Sequence, residues 1–221
     1  GPTQAVAASL LSVAILAAAW PLLIPDTDGI RQGGAAFALP TRLSIGLGLL
    51  CLLAMMSEGS LIDWSAIYLR DTYDLLAGSA ALGYGLFSAG MMISRLSGDM
   101  VRQRLGAVLT IRLSAIATAI GMTIALLSPT AALAIAAMFL LGLGIGNFVP
   151  IFIAAAGKID PDSPARAIAA TTAIGYLGFV AGPPLIGMTA DHIGLAGGLS
   201  VVVVAAVVLL LFSRMARSAD D

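Results

Sequence analysis

The sequence predicts an all-α polytopic membrane protein in which one transmembrane helix precedes a bundle of six. Three observations carry this. Hydrophobic residues make up 59% of the 221 and charged residues only 10%, with a mean hydropathy of +1.02, a balance that soluble domains do not show. Apolar stretches recur at residues 4–24, 43–68, 76–93, 105–127, 131–156, 165–188 and 195–212, each about as long as a helix needs to cross a hydrocarbon core. If they alternate in direction, ten of the eleven basic residues collect on one side and Arg70 stands alone on the other. Positively charged loops stay cytoplasmic. The expected topology therefore starts outside, crosses seven times and leaves the carboxyl terminus in the cytoplasm.

The first span, residues 4–24, lacks the basic leader and small-residue cleavage site of a signal peptide. The chain opens on Gly1-Pro2 rather than on Met, so it reads as a piece of something longer. Residues 25–42 form the one long linker, with Gly29, Gly33, Gly34 and Pro40 breaking helical periodicity. The later connections, at 70–74, 94–104, 128–130, 157–164 and 190–194, are short. Short links make the six helices of residues 43–213 antiparallel neighbours in one domain, followed by a cytoplasmic tail, 214–221. The six divide into two groups of three. RLSGD (residues 95–99) with Gly106 follows the second helix of the first group, and GMTAD (187–191) with Gly194 follows the second helix of the other. Their placement on opposite sides is what an inverted-topology repeat requires. Gly142/Gly146, Gly178/Gly182 and Gly194/Gly198 place small residues at four-residue spacing, the spacing at which helices approach closely in lipid. The glycines at 142, 144 and 146 are not a nucleotide loop, because they lie in an apolar run with no strand before them.

Several function classes drop out. A net charge of −1 with basic residues spread as interfacial anchors gives no nucleic-acid surface. The single cysteine, Cys51, lies within a span and the single histidine, His192, at an outer loop. No metal, cofactor or disulfide is expected, and no catalytic constellation. The only lysine, Lys158, is in a loop, which excludes a retinal Schiff base.

Of the twelve acidic residues only Glu58 and Asp63 fall well inside a span. Acids there are costly and face a cavity or a partner. Five residues of helix separate the two by about 140°. Asp63 shares a face with Arg70, and ion pairing with it stands beside a functional role. Glu58 has no basic residue nearby on its own helix. Desolvation favours the neutral carboxyl, which suits a group that gains and loses a proton as its surroundings open to either side; the alternative is a structural carboxyl bonded to a neighbouring helix. Tyr84, Asn147 and Tyr176 fall near mid-membrane, with Thr171 and Thr172 nearer the cytoplasm, and together they form a polar layer. Tyr84 reads best as a helix-to-helix hydrogen bond. Asn147, after a run of glycines and three residues before Pro150, sits where freed carbonyls make either a binding site or a simple kink. The last span has almost no polar atom and faces lipid. The cluster Arg95, Asp99, Arg102 and Arg104 is either a topology anchor or a pairing that forms in one conformation only.

SEGSLIDWSAIYLRD (57–71), SRLSGDMVRQRLG (94–106), LGLGIGNFVPIFIAAAGK (141–158) and GYLGFVAGPPLIGMTADHIG (175–194) together resemble the carboxyl-terminal half of a major facilitator superfamily transporter, with the closest likeness to the bacterial fucose permease-like branch. The resemblance covers residues 40–213. It makes residues 4–24 the last helix of the amino-terminal half and 25–42 the cytoplasmic inter-domain linker. Gly98, Asp99, Arg102 and Gly106 match the signature loop of the superfamily, with Arg95 beside it, while Ser94 replaces the usual glycine. The resemblance implies a secondary active transporter of a small solute in the inner membrane, coupled to protons in symport. Its pathway helices would be the second, third, fifth and sixth spans, which carry Glu58, Asp63, Tyr84, Asn147 and Tyr176. It also implies that the missing amino-terminal half is needed for transport. The alternatives are a seven-helix receptor, for which the outer loops are short, and a non-transporting membrane interaction module.

Overall fold

Residues 41–161 and 163–220 are described by the structure, a computed structural model. The expected first span and the linker up to Pro40 lie outside the described residues. These form helices α1 (Arg42–Tyr73), α2 (Ala77–Leu105), α3 (Ala107–Leu127), α4 (Ala131–Ile145), α5 (Phe148–Ile159), α6 (Pro164–Leu199) and α7 (Val201–Leu211), then a 3-10 helix, Ser213–Ala219. Four runs, α1, α3, α4 with α5, and α6, are long and apolar enough to cross a membrane. The run from α7 through the 3-10 helix is a fifth if its 58° bend lies within one span. The protein is all-α and polytopic. α2 is not among these spans, because Gly78, Ser79, Gly83, Tyr84, Gly85 and Ser88 dilute its apolar half.

The helix ends follow local chemistry. Thr41 caps α1, its Oγ1 accepting the Ser44 N–H at 3.1 Å, and Thr130 does the same for α4 through Leu133. Pro164 opens α6, where its missing N–H costs nothing. Two expected loops are absent. Residues 94–104 stay helical, since Arg, Gln, Met and Leu favour helix, and the helix of α6 continues through Ile193; each run breaks only where a glycine takes a conformation open to it alone. Gly106 has φ 77°, ψ 158° and Gly194 has φ 77°, ψ 163°. Both groups of three thus turn from second to third helix on the same glycine conformation. In the expected single span 131–156 the helix is interrupted instead, between Ile145 and Phe148.

The two groups interlock reciprocally. α1 lies along α6, and α2 along α4, so the first helix of each group packs on the second of the other. Lipid removes the hydrophobic drive for this, leaving close packing to supply it, and the glycines make the approach possible. A methyl on Gly142 would stand on the Phe87 carbonyl and 2.8 Å from the Met91 nitrogen; one on Gly182 would stand 2.7 Å from the Met56 carbonyl oxygen. The Gly142/Gly146 and Gly178/Gly182 pairs face α2 and α1 respectively.

Tyrosine hydroxyls fasten α1 to the end of α3, Tyr68 donating to the Ala125 carbonyl at 3.2 Å and Tyr73 to the Ser128 carbonyl at 2.8 Å. These carbonyls have no helical donor. Trp64 Nε1 donates to the Pro183 carbonyl at 3.0 Å, gripping α6 at its Pro183-Pro184 pair. By contrast, Ser60 Oγ and Ser65 Oγ are buried without a partner among the described residues, and nothing in their surroundings there explains them. An unmatched hydroxyl is a cost, so Ser65→Ala should leave stability unchanged or raise it by up to about 1 kcal/mol. Unfolding in mixed micelles measures this; a clear loss would mean that the hydroxyl has a partner.

Candidate functional site

α2 presents Tyr84, Ser88, Met91, Met92 and Arg95 at spacings of four, three, one and three, which is one face of a helix. Opposite it, α1 presents Glu58 and Ile62 one turn apart. Between them lies a groove of about 420 Å³ lined by these side chains. Helix-paired, mostly apolar walls with a few polar groups are the usual make-up of a small-molecule site.

The chemistry of the groove is concentrated in one ion pair. Arg95 Nη2 donates to both Glu58 carboxylate oxygens, at 2.9 and 3.0 Å. The Glu58 side chain is 13% exposed and that of Arg95 44%, so the carboxylate sits at the back and the guanidinium at the opening. A half-buried carboxylate is thereby neutralised by a cation 37 residues away. Only one guanidinium nitrogen is used. Nε and Nη1 of Arg95, the Tyr84 hydroxyl and the Ser88 hydroxyl make no hydrogen bond among the described residues, and all belong to groove-lining side chains.

Asn147 lies elsewhere, at the break between α4 and α5. Pro150 has no N–H to return to the Gly146 carbonyl, which is why the helix yields here. Asn147 is 9% exposed and lines a smaller cavity, of about 100 Å³, with Gly98, Asp99, Arg102 and Pro150. A methyl on Gly98 would stand 2.5 Å from Asn147 Oδ1, so glycine at that position admits the amide. Arg95 lines both cavities and connects them.

The remaining expected residues separate. Tyr176 is 58% exposed on α6 and lines neither cavity. Asp63 is exposed on α1. Its expected pairing with Arg70 does not form: Arg70 Nε is held at 2.7 Å by the adjacent Asp71, since a neighbour in sequence is within reach wherever the helix points. The expected switch loop is the end of α2 rather than a loop, save for Gly106. Within it Asp99 is 91% exposed and only 4.0 Å from Arg102, whose closer partner is the Ala219 carbonyl, at 2.8 Å. Ser88, Met91 and Met92 were not expected in the site. Their spacing from Tyr84 is the signal for them, and extending that face to Arg95 requires knowing that the helix runs past Ile93. Among the described residues no group of His, Cys, Asp or Glu is placed to hold a metal ion.

Three curated proteins align with the chain. It is 32% identical over 217 residues to an uncharacterized MFS-type transporter of Yersinia pestis, covering 98% of this chain and 56% of that protein. The chain resembles part of an MFS-type transporter. It is also 32% identical over 205 residues to the membrane protein MosC of Rhizobium meliloti, covering 91% of this chain and 50% of that one. Over 163 residues it is 33% identical to the uncharacterized transporter y4wD of Sinorhizobium fredii, with 73% and 43% covered. The chain thus spans about half the length of the curated relatives it matches. No family model matches the chain, and no solved structure matches it significantly.

Proposed function

We propose that this chain supplies the carboxyl-terminal half of a secondary active transporter, with its carboxyl terminus cytoplasmic, and that the transporter moves a small organic anion together with a proton. The observation that carries this is the Glu58–Arg95 pair at the groove. Net charge within a membrane is costly at every stage of a cycle. With the groove empty, Glu58 and Arg95 cancel. When the carboxylate or similar anion of a solute takes over the guanidinium, displacing Glu58 from Nη2 and pairing with that nitrogen together with Nε or Nη1 as a two-pronged donor, Glu58 loses its counter-charge. It then takes up a proton. The site is neutral before and after, and one anion and one proton occupy it together. Met91, Met92 and Ile62 supply the apolar wall for the rest of the solute, and Tyr84 and Ser88 offer hydroxyls to its polar substituents.

The test uses the complete transporter in vesicles with a pH-sensitive dye inside. Gradients of small carboxylates should acidify the lumen as the solute enters, while the matching primary amides and amines should not. Transport of amines in preference to carboxylates would overturn the solute charge, and solute entry without acidification would overturn the coupling. The cotransport is electroneutral, so a membrane potential should not alter its rate.

A further inference from the structure

α7 ends at Leu211, and the chain bends by 58° into the 3-10 helix that follows. A groove of about 380 Å³ lies in this crook, walled by Gly46, Leu49 and Leu53 of α1 on one side and by Val208, Phe212 and Met215 on the other. Every side chain that lines it is apolar. Leu49 and Phe212, each 53% exposed, form its open edge. An atom added to Gly46 would fall on the end of the Met215 side chain, so the start of α1 and the chain just past α7 meet at the same end of the bundle. From Gly46 to Leu53 the wall runs about 10 Å along the helix, against about 15 Å of hydrocarbon in one leaflet.

One end of the groove is basic. Arg42 stands one turn before Gly46 on the same face of α1, Arg214 precedes Met215, and Arg217 follows Arg214 by one turn of 3-10 helix. All three are exposed, and none makes a hydrogen bond or ion pair among the described residues. The first turn of α1 carries no acid, and its unbonded N–H groups favour an anion. Asp220, the described acid nearest this cluster in sequence, is turned to the start of α3, where it accepts the Ala107 N–H at 2.7 Å. We propose that the groove binds one anionic phospholipid, with an acyl chain along Leu49, Leu53 and Val208 and the phosphate between Arg42 and Arg214. A lipid with a neutral headgroup fits the apolar wall and leaves the cations unmatched. A free phosphate meets the cations and leaves the groove unfilled. Only an anionic amphiphile satisfies both. The site is separate from the groove of Glu58 and Arg95 and does not depend on what is transported.

The complete transporter, purified in detergent, is titrated with phosphatidylglycerol or with phosphatidylcholine of the same acyl chains, and retained lipid is counted by native mass spectrometry. The parent should retain one phosphatidylglycerol at concentrations several-fold below those that phosphatidylcholine requires. Arg42→Gln combined with Arg214→Gln should weaken this retention by about fivefold for each arginine removed, and the corresponding lysine pair should preserve it. Arg104→Gln, an exposed residue at the end of α2 that does not line the groove, should leave it unchanged. Gly46→Leu, which pushes the flexible end of Met215 into the groove, should weaken it with every charge in place. Equal retention of the two lipids by the parent would overturn the proposal. So would parent-level retention in the double glutamine variant, or an equal loss in Arg104→Gln, the mark of diffuse charge. Unchanged retention in Gly46→Leu would mean a headgroup held at the surface with no chain in the groove, and glycerol phosphate competing as well as the lipid would mean a site for free phosphate; either result overturns it. If Gly46→Leu does not fold, the competition, performed on the parent, decides the same point.

Discussion

In the proposed proton-coupled cycle, Glu58→Gln in the complete transporter should abolish uptake driven by a proton gradient while preserving exchange of labelled for unlabelled solute. Glutamine resembles the protonated carboxyl in size and charge. Every step that uses the neutral side chain therefore remains open, and the return step, in which the proton must leave, does not. Arg95 is left without its counter-charge. Breaking a fully buried pair costs about 3–5 kcal/mol, but Arg95 is 44% exposed and water screens it, so the loss of stability should be nearer 1–2 kcal/mol. Replacing both residues, Glu58→Gln with Arg95→Gln, should recover much of that stability without recovering uptake. Proton-driven uptake at the parent rate in Glu58→Gln would remove Glu58 from the cycle. Loss of exchange along with uptake would mean that the charge of Glu58 serves to shape the site rather than to carry a proton.

The second large effect concerns folding. Gly142→Ala should destabilise the domain and Gly142→Leu should prevent its accumulation, at a cost of about 3 kcal/mol or more. Glycine within a helix ordinarily costs about 0.5–1 kcal/mol relative to alanine, so the ordinary sign of Gly→Ala is stabilising. At Gly142 the sign reverses, because the atoms a side chain would meet belong to the Phe87 and Met91 backbone and have no rotamer to adopt. Gly85 is the internal control. It lies in α2 with nothing within 4 Å of an added methyl, and Gly85→Ala should raise stability slightly. Thermal aggregation of detergent-solubilised fluorescent fusions distinguishes the two; equal melting of Gly142→Leu and parent would show that α2 and α4 do not approach as described.

Much of the fold was legible because membranes impose it through composition. Apolar runs of spanning length and paired glycines are local signals, and the interlocking of α1 with α6 and of α2 with α4 realises the packing that Gly178/Gly182 and Gly142/Gly146 announce. The helix ends were less legible. An apolar run stops at Ile93, but the backbone ladder needs only helix-forming residues and continues to Leu105. That difference hid the site, for it placed Arg95 in a loop when it belongs on the helical face of Tyr84 and Ser88.

By itself the sequence determined that the chain is all-helical, that it crosses a membrane several times, that Glu58 must be accommodated within a span, and which small residues let helices meet. Those consequences follow from each residue's own transfer cost and backbone preference, which do not depend on its neighbours in space. The tertiary structure alone decided that Arg95 neutralises Glu58, that Arg70 does not reach Asp63, and that Asp220 caps a helix 113 residues away. Pairings between charges are set by distance and direction across helices. Only the packing of one helix on another supplies those.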